Sequence, residues 1–266
     1  MEELRQRLSE LLANAEGTWG VVVEDLDLGT RFEHQASASF IAESVIKVPI
    51  MAAVYAASDL GQFSMDDRLV LRKEDLVKGS GLLYALSPGL KLTIRELVTL
   101  MIIQSDNTAT NVLIDLIGKE RIDLTMRELG MGESAYSRKL MIYPADSSAN
   151  NTITAGDVAN MLGKLATGKF LSHRACEEMM AIMKKQQVRN GLPSLLPMHE
   201  GETDWEMACK SGWDTGRQHD AGVLYVAERR LSIAALSQDV RADAALGVLG
   251  QLGKEVYEYA KGSPRV

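Results

Sequence analysis

Four residues of this chain could perform nucleophilic chemistry if the fold brought them together: Ser44, Lys47, Ser105 and Lys210. Ser44 and Lys47 stand three apart in "SVIK", at the head of an apolar, Ala-rich run. Positions i and i+3 share one face of a helix, so Lys47 would hang over the Ser44 hydroxyl. A serine at a helix N-terminus also meets free backbone N–H groups that favour developing negative charge. Val45, Ile46, Val48 and Ile50 would desolvate Lys47 and lower its pKa, as a general base requires. Pro49 belongs in a first turn and so places the helix start near Ser44. The spacing by itself is weak, since about one Ser-x-x-Lys is expected by chance in a chain of this composition.

Ser105-Asp106-Asn107 reads as a helix-capping turn by residue type and, alternatively, as a hydroxyl and a side-chain amide held at a rigid helix junction. Lys210-Ser211-Gly212 lies in a strand pattern. Alternation sets Lys210 and Gly212 on one face, with Cys209 and Ser211 on the other. It reads as an edge lysine before a turn, or as a cation beside a glycine that lets a substrate approach the backbone. All three motifs together are expected in roughly a few chains per thousand.

The elements that must position these residues follow from periodicity. Residues 2–15 carry Leu4, Leu8, Leu11 and Leu12 at helical spacing, and "TWGVVVEDLDLGTRFEHQAS" reads as two strands around an Asp-Leu-Gly turn. A helical block runs from Ser44 onward. It includes a helix over 92–104 with Thr93 and Glu96 as a capping box, and two helices ended by Gly118 and Gly130. Further helices are expected over 154–166 and 172–187, three strands after residue 205, and a last helix over 241–260. The predicted fold is therefore α/β (α+β). An antiparallel sheet built from both chain ends (1–43 and 200–266) carries flanking helices, the all-helical segment 44–199 is inserted as a second lobe, and the site lies between them.

Composition narrows the function. The chain has 266 residues and a net charge of -7, with no basic cluster, which argues against a nucleic-acid partner. No apolar run is long enough for a membrane span. The N-terminal segment is amphipathic and lacks signal-peptide features, so the chain is expected to be cytosolic as written, or exported by a leader not included in it. Two cysteines, Cys176 and Cys209, are too few for a disulfide framework. The four histidines form no ligand-spaced pair, so no metal and no cofactor is expected.

The three motifs, their order and their gaps of 61 residues (44 to 105) and 105 residues (105 to 210) resemble the penicillin-recognising serine hydrolases, and most closely the class A β-lactamases, with their S-x-x-K, S-D-N and K-T-G motifs. The resemblance covers nearly the whole chain and includes "LTIRELVTLMIIQSDNTATNVLID" and "HDAGVLYV". It implies that Ser44 is the nucleophile and Lys47 the base or part of a relay to it, while Ser105 passes a proton to the leaving nitrogen with help from Lys210. It implies that Asn107 binds the substrate's amide side chain, that Lys210 and Ser211 hold its carboxylate, and that Gly212 lies in the K-[ST]-G strand. The backbone N–H groups of Ser44 and Trp213 would form the oxyanion hole. The Ser211 role requires its hydroxyl to reach the cleft, which alternation does not guarantee.

One departure stands out. The family's loop glutamate, which positions the water that removes the acyl group, has no counterpart in "RKLMIYPADSSANNTIT". Asp146 is the only acid there, with Asn151 or Asn150 at the family's asparagine. Asp146 reads either as a substitute or as a cap beside Pro144. The expected activity is β-lactam hydrolysis with slow deacylation by a monomer. A D-alanyl peptidase or esterase, and a penicillin-binding sensor, stay open as alternatives. Arg217 is a candidate positive charge for a substrate carboxylate or a solvated loop arginine. His219 and Asp220 are candidates for the mouth of the site or for a turn.

Overall fold

Both ends of the chain enter one antiparallel sheet. A computed structural model describes residues 1–141, 149–198 and 203–262. Helix α1 (Glu2–Ala13) leads into strands β1 (Thr18–Asp25), β2 (Thr30–His34) and the short β3 (Ser39–Ile41). The middle of the chain holds α2 (Lys47–Asp59), β4 (Arg68–Val70), β5 (Lys91–Thr93), α3 (Ile94–Ile103), α4 (Asn107–Glu128), β6 (Thr152–Thr154), α5 (Ala155–Ala166) and α6 (His173–Lys184). The chain then returns to the sheet through β7 (Trp205–Asp214), β8 (Arg217–Val226) and β9 (Arg229–Gln238), and closes with α7 (Ala242–Gly262). The sheet order is β2-β1-β9-β8-β7, so β1 and β9 pair directly, with Val21 opposite Ala235. β7, which carries Lys210, is an edge strand.

Strand alternation sorts the sheet's side chains into two apolar cores. Trp19, Val21 and Val23 face Leu4, Leu8 and Leu12 of α1 and Leu249, Leu252 and Val256 of α7. Val22, Ala208, Ala221 and Ala234 face the helical segment. A buried ion pair between Asp25 and Arg229 anchors the sheet, and Arg229 also donates to Ala260 O of α7.

Helix α2 is the centre of the helical segment. Every residue from Lys47 to Ala57 is buried. A helix apolar on all sides suits such a position, since no face needs to meet water. The capping box at Thr93 and Glu96 starts α3 as the sequence predicts. The two helices expected on either side of Gly118 are present within α4, separated by a kink where the glycine takes φ 76° and ψ 161°. Among the described residues no helix is long and apolar enough to cross a membrane, and no group of three or more His, Cys, Asp and Glu could hold a metal ion. Cys176 and Cys209 are both buried and free.

Candidate active site

Ser44 lies in a 3-10 turn, Glu43–Ile46, that runs directly into α2. Lys47 N donates to Ser44 O, so the two side chains sit one tight turn apart at the helix entrance. Glu43, the residue before the nucleophile candidate, adopts φ 44°, a left-handed conformation that costs a non-glycine residue of order 1 kcal/mol or more. Strand β7 explains how that turn is accommodated. A Cβ on Gly212 would lie 2.8 Å from Ser44 N, 3.0 Å from Glu43 Cβ and 3.1 Å from Val45 N. Only a residue without a side chain lets the sheet edge approach the N–H of Ser44 so closely.

Lys47 is fully buried, and its ammonium donates to Ser105 O at 2.6 Å, Ser105 Oγ at 3.0 Å and Asn107 Oδ1 at 2.8 Å. Lys210, equally buried, donates to Ser105 Oγ at 3.2 Å and to Ser211 O at 2.7 Å. Burial, and then the neighbouring charge of Lys210, holds Lys47 well below the usual lysine range, with Asp106 opposing. Burial lowers Lys210 to about 8, against the pull of Asp220 and Cys209. Two ammonium groups sharing one hydroxyl favour loss of a proton from one of them. Lys47 then gains the lone pair that a base needs.

The Ser105-Asp106-Asn107 turn divides its labour. Ser105 takes φ 54°, which aims its hydroxyl between the two lysines. Asp106 is structural: its Oδ1 caps α4 by accepting from Ala109 N, and its Oδ2 accepts from Leu82 N and Leu83 N. Asn107 faces the cleft and touches the Gly79 loop, where a Cβ on Gly79 would lie 2.6 Å from Asn107 Nδ2. Both the capping and the functional reading of this motif therefore apply, to different residues of it.

A cleft of about 610 Å³ opens over these groups. Its walls include Ser44, Asn107, Gly79, Leu140, Asn151 and Trp213. Trp213 is 44 % exposed at the rim, one residue after Gly212. Ser211 is placed differently from the other motif residues. Its hydroxyl is buried, has no hydrogen-bond partner and is absent from the cleft wall. It stands opposite Asp220 in the β7–β8 ladder. Asn151 lines the cleft, but its Oδ1 accepts from both Ser137 N and Arg138 N, which leaves that oxygen no lone pair for a water. Its backbone carbonyl accepts from Ala42 N, tying this loop to the turn that holds Ser44. Asn150 accepts from Arg138 and also lines the cleft. Asp146 lies outside the described residues.

His219 and Asp220 lie within β8 and are buried, away from the mouth of the cleft. His219 Nδ1 accepts from Ser237 N and its other ring nitrogen meets Ile41 O at 2.8 Å, so the neutral ring links β3 to β9. Several cleft residues belong to no motif and were not singled out from the sequence, among them Glu43, Arg138, Leu140 and Asp214. Leu140 is fixed in place by Asn111, which accepts from Leu140 N at 3.0 Å and donates to Leu140 O at 2.8 Å. Only Glu43 had a sequence signal, its adjacency to Ser44.

This fold and this constellation define a serine hydrolase of the class A β-lactamase type. Residues 3–260 match the model of the beta-lactamase enzyme family. The chain is similar to the crystal structure of a β-lactamase from Sphaerobacter thermophilus, with 32 % identity, a TM-score of 0.89 and 99 % of each chain covered. It is also similar to PBP-A, with 26 % identity, a TM-score of 0.86 and 99 % and 97 % of the two chains covered. An ancestral class A β-lactamase is 27 % identical with a TM-score of 0.85, over 96 % of this chain and 99 % of that one. The chain belongs to the beta-lactamase enzyme family.

Proposed function

We propose that this serine β-lactamase opens the cyclic amide of a β-lactam through an ester on Ser44, and that hydrolysis of that ester limits turnover. Ser44 Oγ attacks the carbonyl carbon while its proton passes to neutral Lys47. The backbone N–H of Ser44, with that of Trp213, stabilises the oxyanion. The C–N bond then breaks, and the ring nitrogen takes a proton through Ser105, which Lys47 and Lys210 both contact. Water finally cleaves the ester, freeing the acid and restoring Ser44.

The observation that carries this reading is the fully buried Lys47, one tight turn from Ser44 and held well below the usual lysine range. Slow deacylation rests on Leu140. Leu140, an apolar residue, lines the cleft on the loop that has no glutamate, and the Asn151 amide oxygen already accepts from Ser137 N and Arg138 N. The substrate is a small β-lactam or a D-alanyl peptide-like amide, and the working unit is a monomer. Intact mass measured after mixing with benzylpenicillin tests the reading. A covalent adduct on Ser44 that decays with formation of hydrolysed product is expected, with a burst on a chromogenic cephalosporin. No adduct, or full-speed turnover without a burst, overturns it.

A further inference from the structure

One wall of the cleft is electrically self-satisfied in a way that the reaction above does not require. Arg217, at the start of β8, is the guanidinium nearest the Ser44 turn from the sheet side. Its Nε donates to Glu43 Oε1 at 2.6 Å, and its Nη2 lies 3.4 Å from Asp214 Oδ2. Both carboxylates line the same cleft. The Glu43 and Arg217 side chains are only 16 % and 26 % exposed, so the pair is partly screened from water and is worth more than a surface contact. The groups acting on Glu43 are Arg217 from β8, Asp214 from β7 and Arg138 from the loop after α4. The turn before Ser44, where Glu43 takes φ 44°, sets the Glu43 backbone beside the sheet edge within side-chain reach of Arg217.

Resting on the β-lactamase reading, we propose that Glu43 is a specificity-determining residue that competes with the substrate's carboxylate for Arg217. An anionic acyl donor must displace Glu43 from the guanidinium or bind without it. A donor that is uncharged at that end meets no such competition. Among the described residues lining the cleft, the formal charges of Glu43 and Asp214 offset those of Arg138 and Arg217. At the Arg217 end of the cleft, Glu43 consequently lowers the advantage that a carboxylate-bearing donor would have over one uncharged there.

The test is the acylation rate constant k2/K of Ser44 by benzylpenicillin and by its methyl ester, followed by intact mass in wild type, Glu43→Gln, Arg217→Ala and the double variant. Both probes use the same nucleophile, so damage to the Ser44 turn cancels in their ratio. Glu43→Gln is expected to raise the acid-to-ester ratio by about tenfold, the effect of freeing one charge-assisted hydrogen bond. Arg217→Ala alone is expected to change the ratio less than about twofold, and to abolish the gain in the Glu43→Gln background. A lower ratio in Glu43→Gln would show that Glu43 orients Arg217 for the substrate, and an unchanged ratio would show no competition. Either result overturns the proposal. Should Glu43→Gln not fold, a large selective loss of benzylpenicillin acylation in Arg217→Ala overturns it alone. No adduct from either probe in the wild type overturns the β-lactamase reading as well, which separates the two failures.

Discussion

Lys47 and Lys210 approach one hydroxyl from two sides, at 3.0 Å and 3.2 Å from Ser105 Oγ. Lys47 comes from the head of a buried helix and Lys210 from the edge of the sheet. The site is therefore a junction between the two, and its protonation is shared between them. Both lysines are buried, but the Lys210 charge also acts to lower Lys47, whereas Asp220 and Cys209 support the Lys210 charge, so Lys47 gives up its proton first.

The pH profile of acylation follows. Lys47 works as a neutral amine, so k2/K rises as pH climbs through its lowered pKa. Lys210 works as a cation, so k2/K falls as pH passes about 8. Stopped-flow acylation from pH 5 to 10 should give a bell. Lys210→Arg, whose guanidinium keeps its charge throughout, should lose the alkaline limb. A limb that persists in that variant assigns it to another group.

Gly212 gives a steric prediction. Gly212→Ala places a methyl 2.8 Å from Ser44 N and forces the sheet edge away from the oxyanion position. Acylation should drop roughly 10²–10³-fold, the typical loss of one oxyanion donor. Thermal unfolding monitored alongside should show a far smaller change than global disruption would produce.

Leu140 tests the deacylation step. Its backbone is held by Asn111, and the residue is part of the cleft wall. Leu140→Glu adds a carboxylate at that wall, and general bases contribute roughly 10²–10⁴-fold. The acyl-enzyme lifetime should shorten at least about tenfold in time-resolved mass spectra, with acylation little changed. Leu140→Gln, which adds the polarity without the base, should not shorten it.

His219 predicts acid lability. Burial lowers its pKa to about 4 from the ordinary 6.5, and the neutral ring accepts from Ser237 N. A lowered folded pKa means that its stability contribution is complete above pH 6.5 and is lost as pH falls through about 4. The shift corresponds to about 3 kcal/mol. Urea unfolding of wild type should show this loss between pH 6.5 and 4. His219→Gln should be less stable at pH 7 and flatter over the same range.

The sheet, the helices and their order were legible from periodicity, because burial on one face imposes period 2 on strands such as 18–25 and period 3.6 on helices such as α1. The capping box at Thr93 and the break at Gly118 were equally plain, since both depend on local chemistry. Harder to read were residues with two possible partners. Asp106 proved to be the cap, with Ser105 and Asn107 left for the site. His219 and Asp220 read as a mouth or a turn, yet they sit inside β8, because a polar side chain paired within the core looks the same in sequence as one at the surface.

The sequence alone determined that Ser44, Lys47, Ser105 and Lys210 form a coherent set, because three motifs in order are rare by chance. It also showed that the loop after residue 138 lacks a glutamate. Only the tertiary structure decided how those groups are shared. Sequence separations of 58 and 105 residues say nothing about which two lysines will meet one hydroxyl. The structure also decided that Ser211 Oγ is buried opposite Asp220, and that Glu43 holds Arg217 across 174 residues of chain. Hydrogen bonds and ion pairs depend on ångström-scale distance and on burial. Both arise only when the sheet edge closes against the head of α2.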